Sequence, residues 1–396
     1  MQDWNGNKIP LHAALENANE ILEQLDSDNK TTRANHRTIG SISYTTMKEQ
    51  TRSSKTKIDT LLYIINYSNN DGFAILSADK RLNPIYAIAD KGNLNWDDTV
   101  ENRGLAEFHK MMQASISSRI VGVENVDTPR RWIPENVSFK LKAEDKVLAL
   151  LWPNVLQWNQ HEPYNIFCFD KQGRRALAGC VPISVVQAMS FFDTPSSWDG
   201  ERLIWRSIKK GNDNEVLARL IRKLGNKDLL DVEYGTVWNG GSSAYTSNVK
   251  RTLEAMGYVC GSYGNFTDGL CRERLKGSIK DPKNRGPFLM SALPEGESYG
   301  HSWVIDGYIR NSIYIHRNED SDPDNYYLWD YDYTLFHCVW GWSNGQSNGY
   351  FYWDVNLRNF SGSADAVGSA DDKNRTDIGY NFNQRVRCLL DFYPKK

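Results

Sequence analysis

A thiolate is the strongest nucleophile among the ordinary side chains, and this chain has six cysteines: Cys168, Cys180, Cys260, Cys271, Cys338 and Cys388. They form no CxxC and no paired Cys/His spacing, so neither a disulfide scaffold nor a zinc site is expected, and no cofactor is implied. Cys180 stands apart through its neighbours. In ALAGCVPISVVQAMS (176–190), Gly179 permits a tight turn, and Pro182, lacking an N–H, suits only the first turn of a helix. Val181, Val185, Val186 and Met189 then recur on one helical face. The pattern puts Cys180 at a helix N-terminus, where unpaired N–H groups and the helix dipole favour a thiolate. The competing reading is a buried structural cysteine, the ordinary fate of a free thiol, and the local context alone leaves both readings open.

A cysteine nucleophile needs a base and an oxyanion partner. Seven histidines are available. His12, His36 and His109 belong to the first part of the chain, and His161 and His316 lie in polar segments. His301, in YGHSWVIDGY, opens an apolar strand directly after Gly300 and can sit at a strand end facing a cleft. His337 competes because it borders a Trp-Gly-Trp stretch. A histidine in a strand is more often a satisfied structural residue than a base. Gln160, in LQWNQHEPYN (156–165), could bring its amide beside the thiolate as an oxyanion donor, or be a solvated loop glutamine.

The elements that must position these residues follow from patterning. At 396 residues the chain is long enough for two folded parts. With 47 Lys plus Arg against 49 Asp plus Glu, nothing favours nucleic acid or an anionic membrane as partner. No run of about 18 apolar residues exists to span a bilayer. The N-terminal MQDWNGNKIP has no positive start followed by an apolar stretch, so a secretory signal is not read in it. Leu11, Leu15, Ala18, Ile21, Leu22 and Leu25 predict a helix over 11–25. Polar sequence follows to about residue 56. Strands are expected at 61–67, 73–77 and 85–89, with a hairpin turn at SNNDG (68–72), and a helix over 104–120. Residues 1–125 thus read as a small α+β unit. Residues 126–146, with Pro129-Arg130-Arg131, Pro134 and a mixed charge run, read as an exposed linker open to proteolysis. In residues 147–396, helices are expected over 180–192, 214–224 and 247–256, and β structure from Pro287 onward. Helices followed by strands give an α+β class rather than an alternating one.

Several segments in one order spell a family: WNQHEPYN (158–165), GCV (179–181), GHSWVIDGY (300–308), WGWSNG (340–345) and GYFYWD (349–354). They resemble the streptopain family of bacterial cysteine peptidases. YIINYSNNDGFAILSADKRLNPIYAIADKG (63–92) resembles that family's inhibitory pro-domain. The resemblance implies a papain-like catalytic domain behind an N-terminal inhibitor, protein or peptide substrates, and a secreted or cell-surface location. It implies Cys180 as nucleophile, His301 as base and Gln160 as oxyanion donor. Trp340 would shield the imidazole, and Ser243 and Gly300 would line the substrate cleft. The Ser361–Asp377 stretch would be a loop near that cleft, and the pro-domain would hold His301 out of line.

One departure bears on activity. Where the family has an Asn that accepts a hydrogen bond from the catalytic imidazole, this chain has Val339. Asn344, Asp306, His337 or a water could replace it; the base could work loosely held; or the chain could be a weakened member that binds or inhibits rather than cleaves. If orientation of His301 limits the rate, Val339→Asn should raise turnover. A related cysteine amidase or transglutaminase-like enzyme would use the same Cys/His pair. The connection from Asn318 to Tyr333 is longer than the family's hairpin and reads as a solvated insertion or as a wall of the cleft.

Overall fold

The computed structural model describes residues 6–26, 37–49, 57–95, 102–121, 133–134, 136–236, 241–292, 300–353, 361–363, 368–369, 379–381 and 386–395. The Ser361–Asp377 loop falls largely outside these residues. In chain order the helices are α1 (Leu11–Asp26), α2 (Arg103–Val121), α3 (Cys180–Phe192), α4 (Trp205–Lys209), α5 (Asn214–Leu224), α6 (Ser247–Ala255) and α7 (Asp268–Lys280). One large antiparallel sheet contains β1 (Ile39–Glu49), β2 (Lys57–Tyr67), β3 (Phe73–Ser77), β4 (Ile85–Ala89), β5 (Val137–Val147) and β6 (Gly264–Asn265). It continues with β7 (Phe288–Ala292), β8 (His301–Arg317), β9 (Tyr327–Val339), β10 (Gly349–Tyr352), β11 (Gly368–Ser369) and β12 (Arg387–Leu389). Its order is β11-β1-β2-β3-β4-β10-β9-β8-β7-β12-β6, with β5 also on β8. The α+β expectation holds: helices pack on an antiparallel sheet.

Strands of the first part, β1 to β4, therefore run without a break into strands of the second. The seam is β4 on β10, pairing Ala87 with Phe351, Ile88 with Tyr350 and Ala89 with Gly349. Gly349 is required there, because a Cβ would lie 2.3 Å from the Ile88 carbonyl oxygen. The turn after β4 extends the seam: Asp90 N–H donates to the Asn348 carbonyl at 2.7 Å, and Ser347 N–H to the Lys91 carbonyl at 3.0 Å.

Apolar periodicity located most helices, and packing adjusted the faces. In α1 the buried residues include Ala13, Ala14, Ala18, Ile21, Leu22 and Leu25, whereas Leu11 and Leu15 are only half-buried. Asn17 is buried on the same face because its Oδ1 accepts the Leu141 N–H at 2.7 Å. The polar stretch before residue 56, to which no element was assigned, contains β1, which is held by its ladder to β2 rather than by its own burial.

The structure corrects the linker. Residues 137–146, expected to be exposed, belong to β5, which pairs with β8 from Tyr308–Val147 to Arg317–Val137. Val137, Phe139 and Leu141 point into the core beneath α1, so the charged residues between them occupy the other face of a strand. Alternation with period two was present in VSFKLKAEDKV and was masked by its charge. The long connection after β8 is also structural. Ile313, Ile315 and Tyr333, at the far end of the β8–β9 hairpin, join the α1 core, so that extension is a platform for the first part of the chain.

Candidate active site

Cys180 is the first residue of α3, and Gly179 precedes it with φ of 93°, a conformation that suits glycine. The helix is buried from Val181 to Ser190. Cys180 itself is only half-buried. Burial pushes the Cys168 thiol up to about 11 and the Cys260 thiol up to about 12, and it raises the Cys271 and Cys338 thiols as well. Those four are poor nucleophiles at neutral pH.

Backbone and side-chain bonds assemble the surroundings of α3. The Gln160 carbonyl accepts the N–H of Ala178, two residues before Cys180, at 2.9 Å, which holds buried Gln160 beside the chain entering that turn. Gln187, on the same helix, donates through Nε2 to the carbonyls of Val155 (3.2 Å) and Trp158 (3.3 Å), fixing the segment that leads into Gln160. Ser242 Oγ donates to the Leu177 carbonyl at 2.6 Å and accepts the Gly235 N–H, so the loop carrying half-buried Ser243 lies against the chain entering Cys180. Four sequence-selected residues are thereby gathered on elements that meet: Gln160, Cys180, Ser243 and, through β8, His301.

His301 begins β8 and is 3 % exposed; Gly300 precedes it and is half-buried. The neighbouring Ser302 ties this strand end to α3, its Oγ standing 2.9 Å from Ser184 Oγ, one turn beyond Cys180. His301 Nε2–H donates to the Trp340 carbonyl at 2.9 Å. A carbonyl can only accept, so the proton is on Nε2, and in the neutral ring Nδ1 carries the lone pair. The acceptor missing through Val339 is thus supplied by the backbone one residue later. Val339 is fully buried opposite Val304 and belongs to the apolar core around α3. Asp306 and His337 bond to each other, Nδ1 to Oδ1 at 2.5 Å, and do not fill this role.

Aromatic rings enclose the imidazole. Trp303 lies parallel to it with centroids 6.1 Å apart, and the Trp340 ring is 6.5 Å away and tilted. Trp353 stacks on Trp303 at 5.1 Å. Trp340 is fully buried; its Nε1–H donates to the Ser347 carbonyl and its N–H to Asn348 Oδ1 at 3.0 Å. Asn348 Nδ2 reaches the Leu156 carbonyl at 2.8 Å, so this one buried amide joins the Trp340 strand to the Gln160 segment. Nothing in the local sequence SNGY singles out Asn348; its importance comes from contacts far apart in the chain. Among the described residues no group of acidic, His and Cys side chains is arranged to hold a metal ion.

The first part of the chain closes over this wall. Asn102 Oδ1 caps α2 by accepting the N–H groups of Gly104 and Leu105. A Cβ at Gly104 would lie 2.2 Å from Trp340 Cε3 and 2.7 Å from His301 Cδ2. The start of α2 therefore sits directly on the two rings. Phe108, one turn on, packs edge-on against Phe351 at 4.8 Å and against Trp353 at 5.8 Å.

Comparison with known proteins agrees with this division. The Spi protease inhibitor family model matches residues 7–116, and the peptidase C10 family model matches residues 158–216. The chain resembles the C10 peptidases, with an inhibitory pro-domain in front. The pro-domain match takes in α1, β1 to β4 and most of α2; the C10 match takes in Gln160 and Cys180. The thiol protease/hemagglutinin PrtT of Porphyromonas gingivalis is 23% identical over 365 residues, covering 83% of this chain and 36% of PrtT. The chain thus spans about a third of that relative's length. A prointerpain A structure from Prevotella intermedia superposes with a TM-score of 0.50 at 17% identity, covering 84% of this chain and 100% of that one. That likeness concerns the fold, pro-domain included.

The contact between α2 and the rings yields a direct test. Gly104→Val places a branched side chain where no atom fits, and overpacking of this kind costs about 1–3 kcal/mol. Urea unfolding of the full chain should show that loss, and hydrogen exchange should show reduced protection over 103–121. Unchanged stability and protection would mean that α2 is not docked on Trp340 and His301.

Proposed function

We propose that the protein is the zymogen of a secreted, papain-like cysteine endopeptidase. The observation that carries this reading is that α3, which opens on the half-buried Cys180, is tied through Ser184 and Ser302 to the strand end at His301, whose Nε2 proton is held on a carbonyl. In the mature enzyme Cys180 Sγ attacks the scissile carbonyl while its proton passes to His301 Nδ1. The oxyanion is held by the Gln160 amide and by N–H groups at the start of α3. His301 then protonates the leaving amine, a thioester remains on Cys180, and water activated by the same imidazole hydrolyses it. Ser243, on the loop bonded to the chain entering Cys180, and Gly300, directly before His301, line the cleft for the peptide. Trp340 and Trp303 keep water from the imidazole bond, which strengthens it.

Latency follows from α2. With Gly104 against His301 and Trp340, the pro-domain occupies the ring wall that a peptide would approach. Activation is a cut between α2 and β5, before Val137, because β5 is committed to the sheet by its ladder to β8. Among the described residues no helix is long and apolar enough to cross a membrane. The loss of the Asn at 339 motivates the alternative of an inactive, binding-only protein; the bond from His301 Nε2 to the Trp340 carbonyl supports the enzyme reading over it.

Two variants test the reading. Cys180→Ala in the full chain should stop both self-processing and hydrolysis of an unfolded protein substrate, a fall of about 10³-fold or more. Maturation and hydrolysis at the parent rate would exclude Cys180 as nucleophile. Val339→Asn should not raise turnover, because His301 already has its acceptor; it should lower stability by about 1–3 kcal/mol through an amide buried among apolar groups. A clear gain in kcat would show that the carbonyl leaves the imidazole poorly oriented.

A further inference from the structure

A second histidine is buried beside the candidate site and takes no part in the chemistry above. His337 lies on β9, three residues before Trp340, and is 1 % exposed. Its Nδ1 bonds Asp306 Oδ1 at 2.5 Å, and its Nε2 bonds Asp90 Oδ2 at 2.9 Å. Asp306, on β8 five residues after His301, is fully buried and is also anchored by the Leu151 N–H on Oδ2 at 3.0 Å. Asp90 comes from the other side of the seam: it follows β4 and falls within the inhibitor match at 7–116. Its side chain, 38% exposed, reaches past β10 to the imidazole, which packs on the Tyr350 ring at 4.8 Å.

The chemistry of this row is lopsided. Burial by itself would lower the His337 value, but the charge of Asp306, its hydrogen bond, and the hydrogen bond and charge of Asp90 push it up to about 10. The ring is therefore an imidazolium at neutral pH, donating from both nitrogens. The same two carboxylates, with burial first, raise Tyr350 well above its ordinary value, so the phenol beside the ring stays neutral. One carboxylate of the row is built into the catalytic part and the other is brought by the pro-domain. Without Asp90, the catalytic part presents a buried cation whose Nε2–H points to the β4 side of β10, next to a strand edge that β4 had covered.

We propose that His337, oriented by Asp306, is a carboxylate socket of the catalytic part, and that its ligand is the Asp90 carboxylate of the pro-domain, in the intact chain and in the cleaved, reassociating pro-domain. Recognition combines two elements: an extended strand that adds to the β10 edge through the Ala87–Ala89 ladder, and an acid directly after it that enters the socket. A paired buried charge of this kind discriminates strongly, because a partner strand lacking the acid leaves the imidazolium unpaired on one side. The contact needs an ionised carboxylate and a charged ring, and the ring's share of it is lost as pH rises through about 10.

The inference rests on the pro-domain reading of the first part but not on catalysis by Cys180, and its test needs no activity. A full chain carrying Cys180→Ala and an added protease site between α2 and β5 is cut in solution, and the dissociation constant of the two pieces is measured by dilution at neutral pH. Asp90→Asn keeps the shape and removes the charge; it should weaken reassociation about tenfold or more, with Asp90→Glu recovering part of the loss. In the uncut chain, ring NMR signals of His337 should show no titration between pH 5 and 8 in the parent and a lowered titration point in Asp90→Asn. A change in affinity of less than about threefold, or an unaltered His337 titration, overturns the socket. A peptidase that proves inactive while Asp90→Asn still weakens reassociation would refute the catalytic reading and leave the socket standing.

Discussion

The register between β8 and β9 is the constraint on which the rest depends. With Val304 opposite Val339, the strand end at His301 comes beside the residue that follows β9, and the Trp340 carbonyl meets the imidazole. A register shift between Ile305 and Gly307 follows, and Asp306, the residue it leaves out of the ladder, bonds His337. A one-residue slip would turn every side chain of one strand to the opposite face and dissolve both arrangements. Large buried groups on both faces fix it: Trp303 and Phe336 toward α2, Val304 and Val339 toward α3. The hairpin's far end then serves as the floor on which α1 and β5 close a third core.

In the function proposed, latency and chemistry share parts. The rings around His301 are those on which α2 sits, and the turn that carries Asn348 receives the pro-domain's Asp90 N–H on one side and holds Trp340 on the other. An inhibitor that extends the catalytic sheet makes its backbone bonds without burying unpaired donors, since each N–H and C=O of the seam finds a ladder partner. Glycines at 104 and 349 allow the approach: in both places a single Cβ would collide with atoms of the other part. Docking of the pro-domain is thus a matter of close fit at a few positions and of charge at Asp90, over a broad apolar interface.

Much of this was legible in the sequence, for identifiable reasons. Gly179, Pro182 and the valines after them determine a helix start locally, so Cys180 could be placed from a dozen residues. Strands β2 to β4 and helices α1 and α2 have strong apolar periodicity. β1 was missed because its ladder to β2, rather than its own burial, holds it in place, and β5 because its charged residues masked the alternation of Val137, Phe139 and Leu141. The carbonyl that accepts the His301 Nε2 proton could not be read at all, since a backbone carbonyl has no signature in side-chain type; of the substitutes named from the sequence, Asn344, Asp306, His337 or a water, the fold commits Asp306 and His337 to each other. Asn348 and Asp90 were silent because their partners are distant in the chain: Leu156 for one, His337 for the other.

The most direct measurement is the pH dependence of Cys180 alkylation by iodoacetamide in the processed protein, read by peptide mapping against the five other cysteines. An activated thiolate beside His301 predicts fast, Cys180-selective labelling already below pH 7, slowed in His301→Ala and slowed in the uncut chain, where α2 covers the ring wall. Labelling of Cys180 that is no faster than that of the other thiols and rises only above pH 8, as for an ordinary thiol, would contradict the account.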